Sequence, residues 1–295
     1  MSQLVQRAAL AGRKAAIIGG ASGIGAAVTL ALAGEGVDVA FCDIAEEALE
    51  PTRKAAEALG VAAFAALADA IDRPALARFY DEVEACFGAL DIVVNVAGGT
   101  LRRNFDAGDA EADERDIRRN YGYVLDSIRR ALPLLRKSGC GGSIINFTTI
   151  EAHRGAATFA VYAGAKAATT NFTAALGVEL AAERIRVNCL APDTTPSAGN
   201  AAAVPGIAES FAAIPQEYRG AGLGIYVPMK APPMPDDLAD TVLFLASDLS
   251  RFITGTTVHV DGGAKAASGF LDWPYGDGFV PAPLAGTIGK LFAKD

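Results

Sequence analysis

The sequence predicts an α/β fold with a doubly wound, mostly parallel sheet of the Rossmann type. Short apolar runs alternate with helical segments of about 10–15 residues, and a glycine-rich turn follows the first run. Such alternation requires right-handed crossovers, which produce a parallel sheet. Hydrophobic residues make up 51% of the 295 residues, enough for a large core. We expect a domain over residues 1–263 with a lid over about 194–235, and a C-terminal extension over 264–295.

The elements of the first third follow from the apolar pattern. Residues 14–18 form a short apolar run and are expected to be a buried strand. A helix of small residues over 25–34 comes after the glycine turn, and Gly34 and Gly36 end it. The remaining elements are expected to alternate between strand and helix over residues 37–42, 45–59, 62–68, 73–87 and 90–96.

The second half continues this alternation, with one long interruption. We expect helix, strand, helix, strand, helix and strand over residues 111–135, 142–148, 162–182, 186–191, 236–247 and 257–260. Residues 194–235 are rich in Ala, Gly and Pro, and about 40 residues of weak periodicity inside an enzyme are typical of a substrate lid. Apolar residues of the lid and the extension either line a pocket or pack against protein: Phe211, Ile214, Tyr218, Ile225, Tyr226, Met229, Trp273, Tyr275 and Phe279.

Charge and cysteine usage favour a small-molecule substrate as the partner. The net charge of -8 and the pI near 4.9 argue against nucleic acid or an anionic membrane surface. Four scattered cysteines without a CxxC pair indicate reduced thiols of a cytoplasmic protein. The sequence shows no metal-ligand cluster, so we expect no metal. Residues 15–34 carry no charge, but their glycines form a turn, so we expect neither a membrane span nor a signal peptide.

The turn Gly19-Gly20-Ala21-Ser22-Gly23-Ile24-Gly25 is the first candidate binding element. Glycines let a backbone bend tightly and approach a pyrophosphate, whose charge lies at the N-terminus of the following helix. The spacing here differs from the commonest GxGxxG pattern, and a tight turn without a ligand is the alternative interpretation. Its place between a strand and a helix favours a dinucleotide cofactor.

Acidic residues end the next two strands. Asp43 can accept hydrogen bonds from an adenosine ribose and would repel a 2′-phosphate. Ser22 stands in the turn where a basic residue could have met that phosphate, so NAD is favoured over NADP. A solvated loop aspartate is the alternative for Asp43. For Asp69, at the end of the third strand, the two interpretations are nearly even.

Tyr162 and Lys166 are the candidate proton-transfer pair. Residues four apart lie on one face of a helix. A free phenol has a pKa near 10, and an ammonium about 4 Å away would lower it by up to about 3. We therefore expect Lys166 to bring the pKa of Tyr162 into the range of a general acid or base. Thr149, at the end of a strand, offers a hydroxyl that can hold the substrate oxygen.

These motifs, in this order, resemble the short-chain dehydrogenase/reductase family from about residue 13 to residue 263. The matching segments are residues 19–25, Asn95-Val96-Ala97-Gly98, Asn120, Thr149, the Tyr162-x3-Lys166 pair, Phe252-Ile253-Thr254-Gly255 and Val260-Asp261-Gly262-Gly263. The resemblance implies that Asn120, Thr149, Tyr162 and Lys166 form a catalytic tetrad. In it Tyr162 exchanges a proton with the substrate oxygen, Lys166 lowers the pKa of Tyr162 and binds the nicotinamide ribose, and Asn120 holds a water molecule.

The resemblance also implies a set of cofactor contacts and an assembly. The implied NAD-binding residues are Gly19, Ser22, Gly23, Ile24, Gly25, Asp43, Ile44, Asp69, Ala70, Asn95, Ala97, Gly98, Tyr162, Lys166, Pro192 and Thr195. A homotetramer is expected, with the helices over 111–135 and 162–182 in a main interface. The implied reaction is hydride transfer between NAD and a secondary alcohol or its ketone.

Several positions depart from the usual family pattern. Ile18 stands where threonine is usual, and Val96 replaces an asparagine. Thr149 replaces serine, which keeps the hydroxyl but stiffens χ1. Asp193 replaces a glycine beside the nicotinamide, and its side chain either steadies the oxidised ring or, as favoured here, points to solvent.

The substrate stays open at this level. Glu151 and His153 lie in a loop on the substrate side, and an exposed loop position is favoured for His153 over a substrate contact. The lid and the aromatic extension favour a bulky, apolar substrate such as a steroid, a terpenoid or an aromatic alcohol. The alternatives are a reductase of an acyl thioester or enone, and a non-catalytic nucleotide-binding protein that kept the fold.

Overall fold

The computed structural model describes residues 3–99, 102–193, 195–196, 220–272 and 278–282. Most of the expected lid therefore lies outside the described residues, including Phe211, Ile214 and Tyr218. Trp273 and Tyr275 of the extension also lie outside them.

A seven-stranded parallel sheet forms the centre of the molecule. Its strands are β1 (Lys14–Ile18), β2 (Asp38–Asp43), β3 (Ala63–Leu67), β4 (Ile92–Asn95), β5 (Gly142–Phe147), β6 (Ile185–Pro192) and β7 (Thr257–Val260). They lie in the order β3-β2-β1-β4-β5-β6-β7, and every neighbouring pair is parallel. The predicted fold class is confirmed. The direction of winding reverses between β1 and β4, where an open sheet leaves a crevice outside the carboxyl ends of its strands.

Helices cover both faces of the sheet. They are α1 (Gln3–Ala8), α2 (Gly23–Gly34), α3 (Glu46–Ala58), α4 (Arg73–Phe87), α5 (Ala110–Ile117), α6 (Tyr123–Ser138), α7 (Ala160–Glu179), α8 (Ala221–Tyr226) and α9 (Pro235–Ala246). Side chains of α2, α3 and α9 fill one core layer, and those of α4, α6 and α7 fill the other. Among the described helices, none combines the length and the apolar character needed to cross a membrane.

The expected helix over 111–135 is present as a continuous helical segment, but a π-turn interrupts its regular α-helical ladder. The structure divides it into α5, a π-turn over Arg118–Gly122, and α6. Asn120 lies in that turn, where its side-chain amide donates to the Asp116 carbonyl at 3.0 Å and its own backbone carbonyl accepts from Thr169 Oγ1 at 2.9 Å. These two hydrogen bonds, one from a side chain and one from a neighbouring helix, therefore compete with the regular backbone hydrogen bonds of the helix. Single π-turns of this kind often occur at functional sites.

The described part of the extension packs on the described part of the lid. The extension contributes a small antiparallel hairpin of β8 (Phe270–Asp272) and β9 (Phe279–Pro281). Lys230, after α8, forms an ion pair with Asp272, and its Nζ lies 4.8 Å from the centre of the Phe279 ring. This portion of the extension therefore contacts Lys230, which lies in the segment expected to be the lid, within the same chain.

Candidate active site

The turn after β1 is shaped by glycines that leave no room for side chains. A Cβ on Gly25 would lie 1.7 Å from the Gly19 carbonyl oxygen, and one on Gly19, at φ +84°, would lie 2.9 Å from the backbone of Ala97. The turns after β1 and β4 therefore approach each other closely. Since α2 begins at Gly23, with Ile24 behind it, free backbone N–H groups lie at this edge of the sheet, where a pyrophosphate can be held.

Asp43 is held at the edge of the same turn. Its Oδ2 accepts from the Ala21 backbone at 3.0 Å and from Ser22 Oγ at 3.4 Å, and its Oδ1 accepts from the Ala45 backbone at 3.1 Å. A carboxylate offers about four lone-pair positions, so acceptor capacity is left for a ribose hydroxyl. The side chain of Ile44 is exposed beside it.

The other expected cofactor contacts lie on both sides of the crevice. Asp69 is exposed and accepts from the Ile71 backbone at 3.1 Å, while Ala70 is buried. On the far side, Pro192 ends β6, and the buried Thr195 donates to the Asp193 carbonyl at 3.1 Å.

The side chain of Asn95 does not reach the crevice. It is fully buried, accepts from Ser127 Oγ at 2.6 Å and donates to Asn146 Oδ1 at 2.8 Å. Tyr80 and Thr173 extend this internal chain at 2.7 and 2.9 Å. The expected role of Asn95 as a cofactor contact stays a prediction, and it would fall to the backbone, because the side-chain amide is already paired inside the protein.

Gly98 lies where two tetrad residues meet. A Cβ on it would lie 2.9 Å from Asn120 Oδ1 and 3.0 Å from Lys166 Nζ. The Asn120 amide donates to the Gly99 carbonyl at 2.9 Å and accepts from the Gly99 backbone at 3.1 Å, and Lys166 Nζ donates to the Phe147 carbonyl at 2.9 Å. The Asn120 side chain therefore stabilises the turn after β4. The expected role of Asn120 in holding a water molecule stays a prediction.

The pKa of Tyr162 moves opposite to expectation. Burial raises it to about 12, the charge of Glu151 adds to the rise, and a hydrogen bond with Thr149 opposes it. Burial also lowers the pKa of Lys166 to about 8. The expectation that Lys166 brings the Tyr162 pKa down is wrong in the protein alone, because desolvation disfavours the charged form of both groups.

A chain of charged and polar groups crosses the substrate side of the site. Thr149 follows β5 and donates a hydrogen bond to Glu151 Oε2, and Arg154 Nη2 donates to Glu151 Oε1 at 2.7 Å. The Arg154 guanidinium lies 5.4 Å from the centre of the Tyr226 ring in α8. Burial raises the pKa of Tyr226, and the nearby Asp193 adds to the rise. The sequence pattern indicates Glu151 and Tyr226 as candidates on the substrate side, but it does not connect them, because the contacts join distant segments.

Two expectations about exposed side chains are wrong. His153 is half-buried, and its ring centre lies 4.7 Å from that of His259 on β7. Burial and the charge of Lys265 lower the pKa of His153. Asp193 is 8% exposed and does not point into open solvent. Within the described ranges, no group of three or more His, Cys, Asp or Glu side chains is arranged to hold a metal ion.

Taken together, the fold and the site define a doubly wound α/β oxidoreductase. The turns after β1 and β4 fit a dinucleotide, since Gly19, Gly25 and Gly98 leave a cradle that any Cβ would fill. A family model described as enoyl-(acyl carrier protein) reductase matches residues 19–265. The chain belongs to the short-chain dehydrogenase/reductase family, as its motifs indicated.

Relatives and solved structures agree with this assignment. A 3beta-hydroxysteroid dehydrogenase of Eggerthella lenta is 34% identical over 262 residues, which cover 88% of this chain and 97% of that protein. A (3R)-3-hydroxyacyl-CoA dehydrogenase of Canis lupus familiaris is 35% identical over 261 residues, with 84% and 95% covered. The crystal structure of carveol dehydrogenase from Mycobacterium avium in complex with NAD matches with a TM-score of 0.78 and 28% identity, covering 86% of this chain and 98% of that one.

Proposed function

We propose that this protein is an NAD-dependent dehydrogenase/reductase that interconverts a secondary alcohol and its ketone. The observation that carries the proposal is the close approach of Lys166 Nζ to the Gly98 backbone after β4. Tyr162 and Thr149 lie together after the neighbouring strand β5. The glycine turn after β1 lies at the same edge of the sheet. The residues proposed to hold the cofactor are Gly19, Ser22, Gly23, Ile24, Gly25, Asp43, Ile44, Asp69, Ala70, Asn95, Ala97, Gly98, Tyr162, Lys166, Pro192 and Thr195.

Asp43 supports NAD over NADP. Its carboxylate is only 8% exposed and is oriented by three donors at the end of β2. A fixed negative charge with spare lone pairs accepts ribose hydroxyls and repels a 2′-phosphate. The exposed Ser22 beside it offers no positive charge in compensation.

The proton chemistry belongs to Tyr162. With a pKa of about 12, its phenol is protonated at neutral pH and can donate to a ketone oxygen as a general acid. When bound, the reduced cofactor supplies the hydride to the carbonyl carbon, and the oxidised form accepts it in the reverse direction. In oxidation, Tyr162 as the phenolate removes the hydroxyl proton, and the Thr149 hydrogen bond lowers the cost of forming that phenolate.

Thr149 and Lys166 position the reacting groups. The Thr149 hydroxyl lies against Tyr162 and can hold the substrate oxygen between them. Lys166 is buried, and its ammonium is fixed by the Phe147 carbonyl, beside the Gly98 backbone. We assign it to the nicotinamide ribose. The paired Asn120 amide keeps the turn around Gly98 in the shape that this arrangement needs.

The substrate we propose is a bulky secondary alcohol, such as a steroid, a terpenoid or an aromatic alcohol. The relatives named for a hydroxysteroid and for carveol support it. The second candidate is an acyl thioester, supported by the hydroxyacyl-CoA relative. A cation that could bind the phosphate groups of such a thioester also lies near the site. The Arg102 guanidinium is 5.4 Å from the centre of the Phe159 ring, and that centre is 5.9 Å from the centre of the Tyr162 ring.

We further propose a cytoplasmic homotetramer. Exposed apolar residues on α5 and α7, among them Ile117 and Val178, support an interface along these helices. All four cysteines are free thiols, in keeping with a reducing compartment.

A nucleotide titration tests the proposed cofactor. Purified protein is titrated with NADH and NADPH, and nicotinamide fluorescence gives each Kd for the wild type, Asp43→Ala and Asp81→Ala. We expect NADH to bind at least about tenfold more tightly than NADPH, and only Asp43→Ala to remove that preference. Asp81→Ala is the matched control, since it deletes a carboxylate of α4 that is 67% exposed and is not among the proposed cofactor contacts. Failure of both nucleotides to bind would refute the proposed function.

A further inference from the structure

The hydroxyl of Thr149 has one proton and more than one neighbour that can accept it. In the structure that proton points to Glu151 Oε2, because a carboxylate can only accept. The Glu151 backbone donates back to Thr149 Oγ1 at 3.4 Å, which closes a short turn at the start of the 3-10 helix over Ile150–His153. Thr149 is 5% exposed, so water competes little for its hydroxyl.

The charge of Glu151 is oriented by its surroundings. Arg154, on the same turn, forms an ion pair with it at 2.7 Å, and the Glu151 side chain is only 15% exposed. Charge-assisted hydrogen bonds are about twice as strong as neutral ones, so the carboxylate outcompetes the Tyr162 oxygen for the Thr149 proton. The titratable and charged groups packed nearby are Tyr162 of α7, Tyr226 of α8, Asp193 after β6, His153, His259 of β7 and Lys265.

We propose that Glu151 is a positioning residue of this active site, which competes with Tyr162 and the substrate oxygen for the Thr149 proton. The role in turnover rests on the proposed function. The effect on Tyr162 does not, because it belongs to the protein alone.

The arrangement favours the protonated form of Tyr162. A Thr149 proton drawn toward Glu151 gives the phenolate only a weakened hydrogen bond, so Thr149 opposes the rise of the Tyr162 pKa less than it would without Glu151. In Glu151→Gln, the side chain can donate an amide N–H to Thr149 Oγ1, and the Thr149 proton is then free to point toward Tyr162. The phenolate gains a donor and loses a neighbouring negative charge. Alcohol oxidation, which needs the phenolate, should then proceed at lower pH.

The first test measures the Tyr162 phenol by ultraviolet difference titration, without substrate. Each titration is compared with the same protein carrying Tyr162→Phe, which isolates one of the seven tyrosines. We expect the pKa of Tyr162 to be lower by about 1 in Glu151→Gln than in the wild type. Glu183→Gln is the matched control, because it removes a carboxylate that pairs with Arg136 at 2.6 and 2.8 Å on an exposed surface. Glu151→Met, a second neutral variant of similar length, covers a failure of the glutamine variant to fold.

A Thr149→Val background separates positioning from a simple field effect. If Glu151 acts through the Thr149 proton, Glu151→Gln lowers the phenol pKa much less when the hydroxyl is gone. An equal decrease in both backgrounds, or no decrease in either neutral Glu151 variant, overturns the proposal.

The second readout is the pH profile of kcat/KM for alcohol oxidation. We expect the profile of Glu151→Gln to move by about 1 toward lower pH, a gain of about tenfold on its acid limb, with the Kd for NADH unchanged. A wild type that binds NADH but turns over no alcohol, together with a lowered phenol pKa in Glu151→Gln, would refute the proposed function and support the role of Glu151. Turnover of alcohol by the wild type, with the same pH profile and the same phenol pKa in Glu151→Gln, would support the proposed function and refute the role of Glu151.

Discussion

Lys166→Met should make the protein more stable at neutral pH while it abolishes the reaction. Burial lowers the pKa of Lys166 from 10.5 to about 8, which corresponds to about 3 kcal/mol of lost stability at any pH below 8. Methionine has a similar length and no charge to desolvate. It also leaves the Phe147 carbonyl without its 2.9 Å donor, at a cost of about 1–3 kcal/mol. The expected net gain is about 1 kcal/mol near pH 7.

The dependence on pH gives this prediction its sharpest form. The unfolded chain keeps the lysine proton up to about pH 10.5, whereas the folded protein releases it above about pH 8. Between these values the unfolded state binds more protons, so the wild type gains stability as the pH rises. The advantage of Lys166→Met should therefore shrink by about 3 kcal/mol from pH 7 to pH 11 and change sign.

Urea unfolding at several pH values measures both effects. Lys54→Met is the matched control, because Lys54 is 68% exposed and its removal should leave the pH dependence unchanged. An advantage of Lys166→Met that stays constant from pH 7 to pH 11 would refute the reasoning. So would a loss of stability at neutral pH that grows smaller as the pH rises.

Two further substitutions test the cradle and the core. Gly25→Ala should abolish NADH binding and cost about 1–3 kcal/mol, because its Cβ would lie 1.7 Å from the Gly19 carbonyl. Gly34→Ala in the same helix, with open space around it, should change neither quantity by a comparable amount. Ser127→Ala should lower the free energy of unfolding in urea by about 1–3 kcal/mol, because it leaves Asn95 Oδ1 without a donor. A loss below about 0.5 kcal/mol, the size of an ordinary surface substitution, would contradict this account.

Local patterns were enough to predict the fold. The apolar runs and glycine turn are properties of adjacent residues, and β1 and β7 have the bounds that the sequence predicted. The order of motifs placed Tyr162 and Lys166 on one helix and Gly98 at the end of a strand. These positions follow from periodicity and from the geometry of parallel strands.

Features that depend on distant contacts could not be predicted in the same way. The π-turn at Asn120 needs the hydroxyl of Thr169, and the burial of Asn95 needs Ser127 and Asn146. The pKa of Tyr162 depends on how deeply the phenol is buried, and a four-residue spacing does not carry that information.

The central claim is that Tyr162 transfers the substrate proton in an NAD-dependent reaction. The most direct measurement compares wild type and Tyr162→Phe for NADH binding and for turnover of a panel of bulky secondary alcohols and ketones. We expect Tyr162→Phe to retain NADH binding, because most of the proposed cofactor contacts remain, and to lose turnover by at least about a hundredfold, as general acid–base catalysis implies. Turnover by Tyr162→Phe at the wild-type rate would contradict the account.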